Sequence, residues 1–223
     1  MSVLLNIETS SKNCSVSISE DGKLKSLVER NSINYTHSEN LHNFILKALK
    51  KANKNSDDLD AIAVGKGPGS YTGLRIGVAA AKGLCFALNL PLIALNSLEI
   101  ICQEYKAKSN EILFPMFDAR RMEVYTMVIN SKKEILKETT SKIINVDTFK
   151  DFPKDKTWVF FGEGSQKCKD ILKESHIKYI DKISYPSAGG MVSLSYEYFR
   201  EKKFENIAYF EPFYLKDFLS IKS

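Results

Sequence analysis

The segment GKGPGSYTGLRIG, Gly65 to Gly77, gathers five of the eleven glycines of a 223-residue chain into thirteen positions. It follows the apolar run AIAV and opens onto VAAAKGLCFAL, a pattern that predicts a strand, a glycine-rich loop and a helix. Gly67, Gly69 and Gly73 permit positive φ and close backbone approach, and Pro68 stiffens the turn. Ser70 or Thr72 can cap the helix, whose free N–H groups attract an anion. That is the phosphate reading, but two common phosphate patterns fail. Leu74-Arg75 stands where a P-loop needs Lys-Ser/Thr, and G-x-G-x-x-G fits only loosely. The packing reading is stronger: Gly73, Gly77 and Ala81 recur every four residues and make a bare helix ridge that a helix or sheet can approach closely. Arg75 lies one turn into the helix and opposes its dipole, so an anion or a carboxylate partner is expected there.

Around this loop the chain reads as alternating α/β. VLLNIE, CSVSIS and LKSLVE are strand-like, and Asp21-Gly22 signals a tight turn. Thr36-His37-Ser38-Glu39 is a capping box ahead of a helix striped by Leu41, Phe44, Ile45, Ala48 and Leu49, with Leu46 off the stripe. PLIAL is a further strand. Asn96-Ser97-Leu98-Glu99 is a second capping box, starting a helix to about Lys108. From residue 109 the order starts over. ILFPMF, EVYTMVI and the KEILKE/KIINV region read as strands, and WVFFGEGSQKCKDIL as a strand, a G-x-G turn and a helix. A last helix is expected from Ser187 to about Lys202. The division is thus 1–108 and 109–223, with no Pro/Gly/Ser linker between the halves, so they should pack closely, and the C-terminal end can pack back on the first half.

Composition narrows the class. The chain is 43% hydrophobic and 26% charged, as in an ordinary globular protein, and its +5 charge comes mainly from dispersed lysines, with only five arginines. Cys14, Cys85, Cys102 and Cys168 are widely spaced with no C-x-x-C pair, which argues against a disulfide framework and a zinc knot. His37 and His42 are five apart and would not share a helix face, and His176 is isolated, so surface or capping roles are expected. The N-terminus does not read as a signal peptide, no segment is apolar enough for a membrane span, and the expected compartment is the cytoplasm.

GPGSYTGLRIG followed by AAAKGL and PLIALNSLE closely resembles the TsaB (YeaZ) family, which works in making threonylcarbamoyladenosine beside the tRNA anticodon. IETSSKNCSVSI, THSENL, FDARRMEVY, FGEGS and the terminal EPFYL extend the resemblance over nearly the whole chain. It implies an actin- and sugar-kinase-like (ASKHA) α/β fold: two related βββαβα-type subdomains with mixed sheets. It also implies partnership with the related TsaD, which transfers the threonylcarbamoyl group, and with the ATPase TsaE, and contact with tRNA through that complex.

TsaD-like proteins carry a metal-binding His-x-x-x-His pair after the strand that PLIAL matches. Here Ser97 and Ile101 stand at those places, so no catalytic residue and no metal ligand is expected. The turns that hold nucleotide phosphates in this fold read Glu8-Thr9-Ser10-Ser11 and Asp118-Ala119-Arg120-Arg121, without glycine. Related chains usually begin Asp-Thr-Ser, so Glu8 adds a methylene where space is short. Gly162-Glu163-Gly164 reads either as a remnant of an adenosine-side turn or as a structural turn. The remaining polar cluster, Asp118, Arg120 and Arg121, is a surface ion pair or a contact with the partner or with tRNA phosphates.

The expectation is a non-catalytic subunit that pairs with TsaD through Leu41, Phe44, Ile45, Leu46, Gly73, Gly77 and Ala81, and closes on itself as a homodimer when alone. The glycine loop (Gly67, Gly69, Ser70, Thr72, Arg75) is the candidate anion contact, and ATP is placed at a subunit boundary if anywhere. The alternatives are an ATPase or metallopeptidase-like enzyme in its own right, and direct tRNA binding through the lysine-rich surface.

Overall fold

The computed structural model describes residues 1–31 and 37–216. Thr36, and with it the capping box expected at Thr36–Glu39, lies outside the described residues, as do the last two positions of EPFYLKDF.

The first sheet is built from β1 (Val3–Glu8), β2 (Asn13–Glu20), β3 (Lys23–Asn31), β4 (Ala61–Gly67) and β5 (Leu92–Asn96), in the order β3-β2-β1-β4-β5. Its first three strands form an antiparallel meander, and β4 and β5 run parallel to β1. Asp21 and Gly22, with φ of 48° and 72°, turn β2 into β3, the backbone that Asp-Gly favours. α1 (His37–Lys51) and α2 (Tyr71–Leu88) cover one face of this sheet. Because both faces are covered, β1 and β2 are buried along their whole length rather than alternating. The Ser70 hydroxyl caps α2 by accepting from the Gly73 N–H at 3.3 Å, which settles the choice between Ser70 and the exposed Thr72.

α3 (Ser97–Cys102) opens with the Asn96 side chain accepting from the Leu98 N–H at 2.9 Å. It ends well short of the predicted Lys108. The Lys133 ammonium donates to the carbonyls of Cys102 and Tyr105, closing groups that another helical turn would have used.

The second sheet repeats the plan. β6 (Glu111–Asp118), β7 (Glu123–Asn130) and β8 (Ile135–Ile143) form the meander, and β9 (Thr157–Phe161) and β10 (Ile177–Ile180) follow parallel to β6. The order β10-β9-β6-β7-β8 matches the first sheet strand for strand. The helices do not match. Residues 144–156 hold turns where α1 stands in the first half, and they fill the space with Phe149 and Phe152 against Phe114. The helix predicted after Gly162-Glu163-Gly164 is a 3-10 stretch, Glu163–Cys168, and β10 has no clear counterpart in the sequence pattern.

After β10 the chain returns to the first half. α4 (Met191–Arg200) packs Met191 against Leu4, Ala63, Ile93 and Leu95 on the face opposite α1 and α2. Residues beyond it run along the edge of the first sheet. The Glu205 N–H bonds the Leu92 carbonyl at 2.8 Å, and the Phe213 N–H bonds the Lys66 carbonyl at 2.7 Å. No helix among the described residues is long and apolar enough to cross a membrane.

Candidate functional site

The glycine loop between β4 and α2 is filled by the chain's own β1–β2 turn. The Ser70 N–H donates to the Ser10 carbonyl at 2.6 Å, and the Thr9 hydroxyl donates to the Gly73 carbonyl at 2.8 Å. A Cβ at Gly69 would lie 2.3 Å from the Ser10 carbonyl oxygen, and one at Gly73 would lie 2.1 Å from that of Thr9. The same spacing of four continues at both ends. Gly77 faces the Thr9 hydroxyl, and Gly65 faces the Glu8 carboxyl, with Cβ clashes of 2.2 and 2.1 Å. The packing reading thus has its geometry: at this loop the glycines admit the residues Glu8-Thr9-Ser10.

Glu8 is fully buried there. Burial pushes its carboxyl above the ordinary range, partly offset by bonds from Ser10 and Ser97. The Ser10 N–H lies 2.6 Å from one carboxyl oxygen and the Ser97 hydroxyl 3.2 Å from the other. The methylene that distinguishes Glu8 from aspartate is accommodated because Gly65 has no side chain. His37 closes the arrangement with a ring nitrogen 2.8 Å from the Ser11 carbonyl oxygen. It is buried, which removes the surface alternative of the surface or capping role expected for it, while His42 is exposed and His176 stacks edge-on against Trp158.

The second half uses the same device. A Cβ at Gly162 would lie 2.2 Å from the Met116 carbonyl oxygen, and one at Gly164 would lie 2.6 Å from the Phe117 carbonyl carbon. This close approach is what the structural-turn reading of Gly162-Glu163-Gly164 requires. Ser97, at one expected ligand place, is bonded to Glu8, and Ile101, at the other, is buried in the core. Among the described residues no group of three His, Cys, Asp or Glu could hold a metal ion. All four cysteines are free and buried, with the Cys14 and Cys168 thiols pushed up to about 12 by burial.

Six of the seven residues expected at a partner interface face inward. Leu41, Phe44 and Ile45 are the core stripe of α1, Ala81 is fully buried, and Gly73 and Gly77 press on Thr9. The correction has a simple cause: the stripe and the ridge are what hold these helices on their own sheet. Leu46 alone stays outside, 66% exposed. The outer face of α2 presents Ala79, Gly83, Phe86 and Ala87, with Phe86 83% exposed and nothing within 4 Å of a Cβ at Gly83. Lys82, next to Gly83 in the chain, bonds the carbonyls of Ala208 and Phe210. Phe86 carried no sequence signal beyond lying off the core stripe of α2. Arg75 is exposed, 5.5 Å from the Tyr71 ring, and has no ion pair among the described residues.

Asp118, Arg120 and Arg121 do come together, at the β6–β7 turn. Asp118 accepts from the Arg120 N–H at 2.6 Å and from the Lys167 ammonium at 2.7 Å. Lys167 is a member of this cluster that the sequence did not single out.

Residues 31–219 match the family model described as "TsaD: tRNA N6-adenosine threonylcarbamoyltransferase". The chain is 28% identical over 220 residues to the tRNA threonylcarbamoyladenosine biosynthesis protein TsaB of Escherichia coli, covering 96% of this chain and 94% of that one. It is 30% identical to the TsaB of Buchnera aphidicola subsp. Schizaphis graminum, covering 85% and 91% of the two chains. The solved structure of YeaZ from Pseudomonas aeruginosa superposes with a TM-score of 0.81 at 26% identity, covering 96% of this chain and all of that one.

Proposed function

The chain belongs to the TsaB (YeaZ) family of tRNA threonylcarbamoyladenosine biosynthesis proteins, and we propose that within that process it is a non-catalytic subunit paired with TsaD. The observation that carries the reading is the outer face of α1 and α2. Leu46 on α1 and Ala79, Gly83 and Phe86 on α2 are exposed apolar or small residues that a partner can approach closely, as a tight interface requires. A TsaD-like chain offers helices of related geometry, so the two would pair about a pseudo-twofold axis. In the absence of TsaD the same face closes on a second copy of this chain. TsaE and tRNA then meet the pair, and any ATP is handled at a subunit boundary.

Two features support a role without chemistry of its own. The Ser10 and Thr9 backbone fills the glycine loop, and Ser97 and Ile101 stand where the related transferase has metal ligands. The test is co-purification with TsaD followed by reconstitution of the tRNA modification. Phe86→Glu and Leu46→Glu should each abolish pairing and modification while the isolated chain keeps its fold, read by circular dichroism. Survival of both activities would show the interface to lie elsewhere. Stoichiometric ATP turnover by the isolated chain would show it to be an enzyme in its own right.

A further inference from the structure

The tip of the β6–β7 hairpin spends backbone strain on two arginines. Arg120 and Arg121 have φ of 67° and 48°, two consecutive side chains in the left-handed region that glycine and asparagine occupy at least cost. The β2–β3 hairpin makes a comparable pair of left-handed residues with Asp21 and Gly22. Strain of this kind persists where the side chains themselves are used.

The turn is also braced. Lys167 reaches past Asp118 to the carbonyls of Arg121, at 2.6 Å, and Glu123, at 3.0 Å. Lys216 pairs with Glu123. Each acid of the hairpin end thus has its own lysine, and Glu163, which Asp118 and Lys167 both influence, is hydrogen-bonded to Tyr185. The two guanidiniums are exposed and have no ion pair among the described residues. Their charge is left over on a rigid support.

We propose that Arg120 and Arg121 form a contact for the phosphodiester backbone of RNA. A guanidinium fork matches a phosphate in shape and charge, and backbone contacts of this kind position a nucleic acid without reading its sequence. The basic surroundings favour an extended polyanion over a single protein carboxylate. Lys142 sits opposite Val124 in the sheet register, and Lys12, from the first half's own turn, lies within electrostatic reach of Glu163 as Lys167 does. That the RNA is tRNA rests on the proposed function; the anion contact itself does not.

The test compares wild type, Arg120→Glu/Arg121→Glu and Arg120→Asn/Arg121→Gly. Binding of unmodified tRNA is measured between 50 and 200 mM salt, conditions over which phosphate contacts weaken steeply, by the full chain alone and with TsaD. Both variants should bind tRNA about tenfold or more weakly, with the salt slope reduced by about two, one for each lost cation. Co-purification with TsaD should be unchanged. The Asn-Gly variant suits the turn better than the native pair, so it should melt at or above the wild-type temperature, which separates loss of contact from loss of fold. Unchanged tRNA affinity and salt slope in the Asn-Gly variant, alone and in the pair, would overturn the proposal. So would loss of TsaD pairing with tRNA binding retained, which would assign the tip to a protein carboxylate. Failure of the wild-type chain to pair with TsaD would count against the interface of α1 and α2 and leave the measurement on the chain alone decisive for the arginines.

Discussion

A methyl group added at Gly73 would sit 2.1 Å from the Thr9 carbonyl oxygen, whereas one added at Gly83 would meet no atom within 4 Å. The same substitution in one helix should therefore have opposite signs. Gly73→Ala is expected to lower stability by about 1–3 kcal/mol through forced displacement of backbone. Gly83→Ala should raise it by about 0.5–1 kcal/mol through helix propensity, with both read from urea midpoints. Glu8 gives a pH-dependent counterpart. Its carboxyl holds its proton above the unfolded value of 4.5, so the folded state binds more protons just above that pH. This contribution is complete below pH 4.5 and is lost as the pH rises through the folded value. Glu8→Gln should remove that slope, visible as a flatter profile of melting temperature from pH 4 upward. At this scale the sequence showed the glycine spacing but not its occupant, because Thr9 and Gly73 are joined only by the fold.

Among elements, the strands and the two long helices were legible because each carries a strong period and clear punctuation, such as Asp21-Gly22 and Ser70. The orientation of α2 was not legible: Gly73, Gly77 and Ala81 look as suited to a partner as to the sheet they cover. The length of α3 depends on Lys133, a contact that no local pattern announces. In the second half an aromatic cluster replaces the first helix. The Phe114 ring lies 4.9–5.4 Å from those of Phe149, Phe152, Trp158 and Phe160. Phe114→Ala should cost about 3–5 kcal/mol, since no helix is present to collapse into the space. The loss would appear as an early unfolding transition followed by the fluorescence of Trp158.

For the molecule as a whole, the doubling could be read from the order of strands, while the join between halves could not. The Ser15 hydroxyl accepts from the Ala188 N–H at 2.8 Å, and the Ser17 hydroxyl donates to the Ala188 carbonyl at 2.8 Å. Both serines are fully buried, so the returning chain is bonded into the face of the first sheet. Ser15→Ala with Ser17→Ala would strand the Ala188 N–H, costing about 1–3 kcal/mol, and leave its carbonyl only the Met191 N–H at 3.3 Å. Wild type should unfold with Trp158 fluorescence and far-ultraviolet circular dichroism coinciding, as one cooperative unit. The same connectedness bears on the glycine loop. The turn that occupies it is covalently tethered, and a tethered group acts at an effective concentration of roughly millimolar or above. A diffusing phosphate at that loop would face a competitor that never dilutes. For an anion to reach the amides of the loop, the Ser10 and Thr9 contacts of the turn would first have to break.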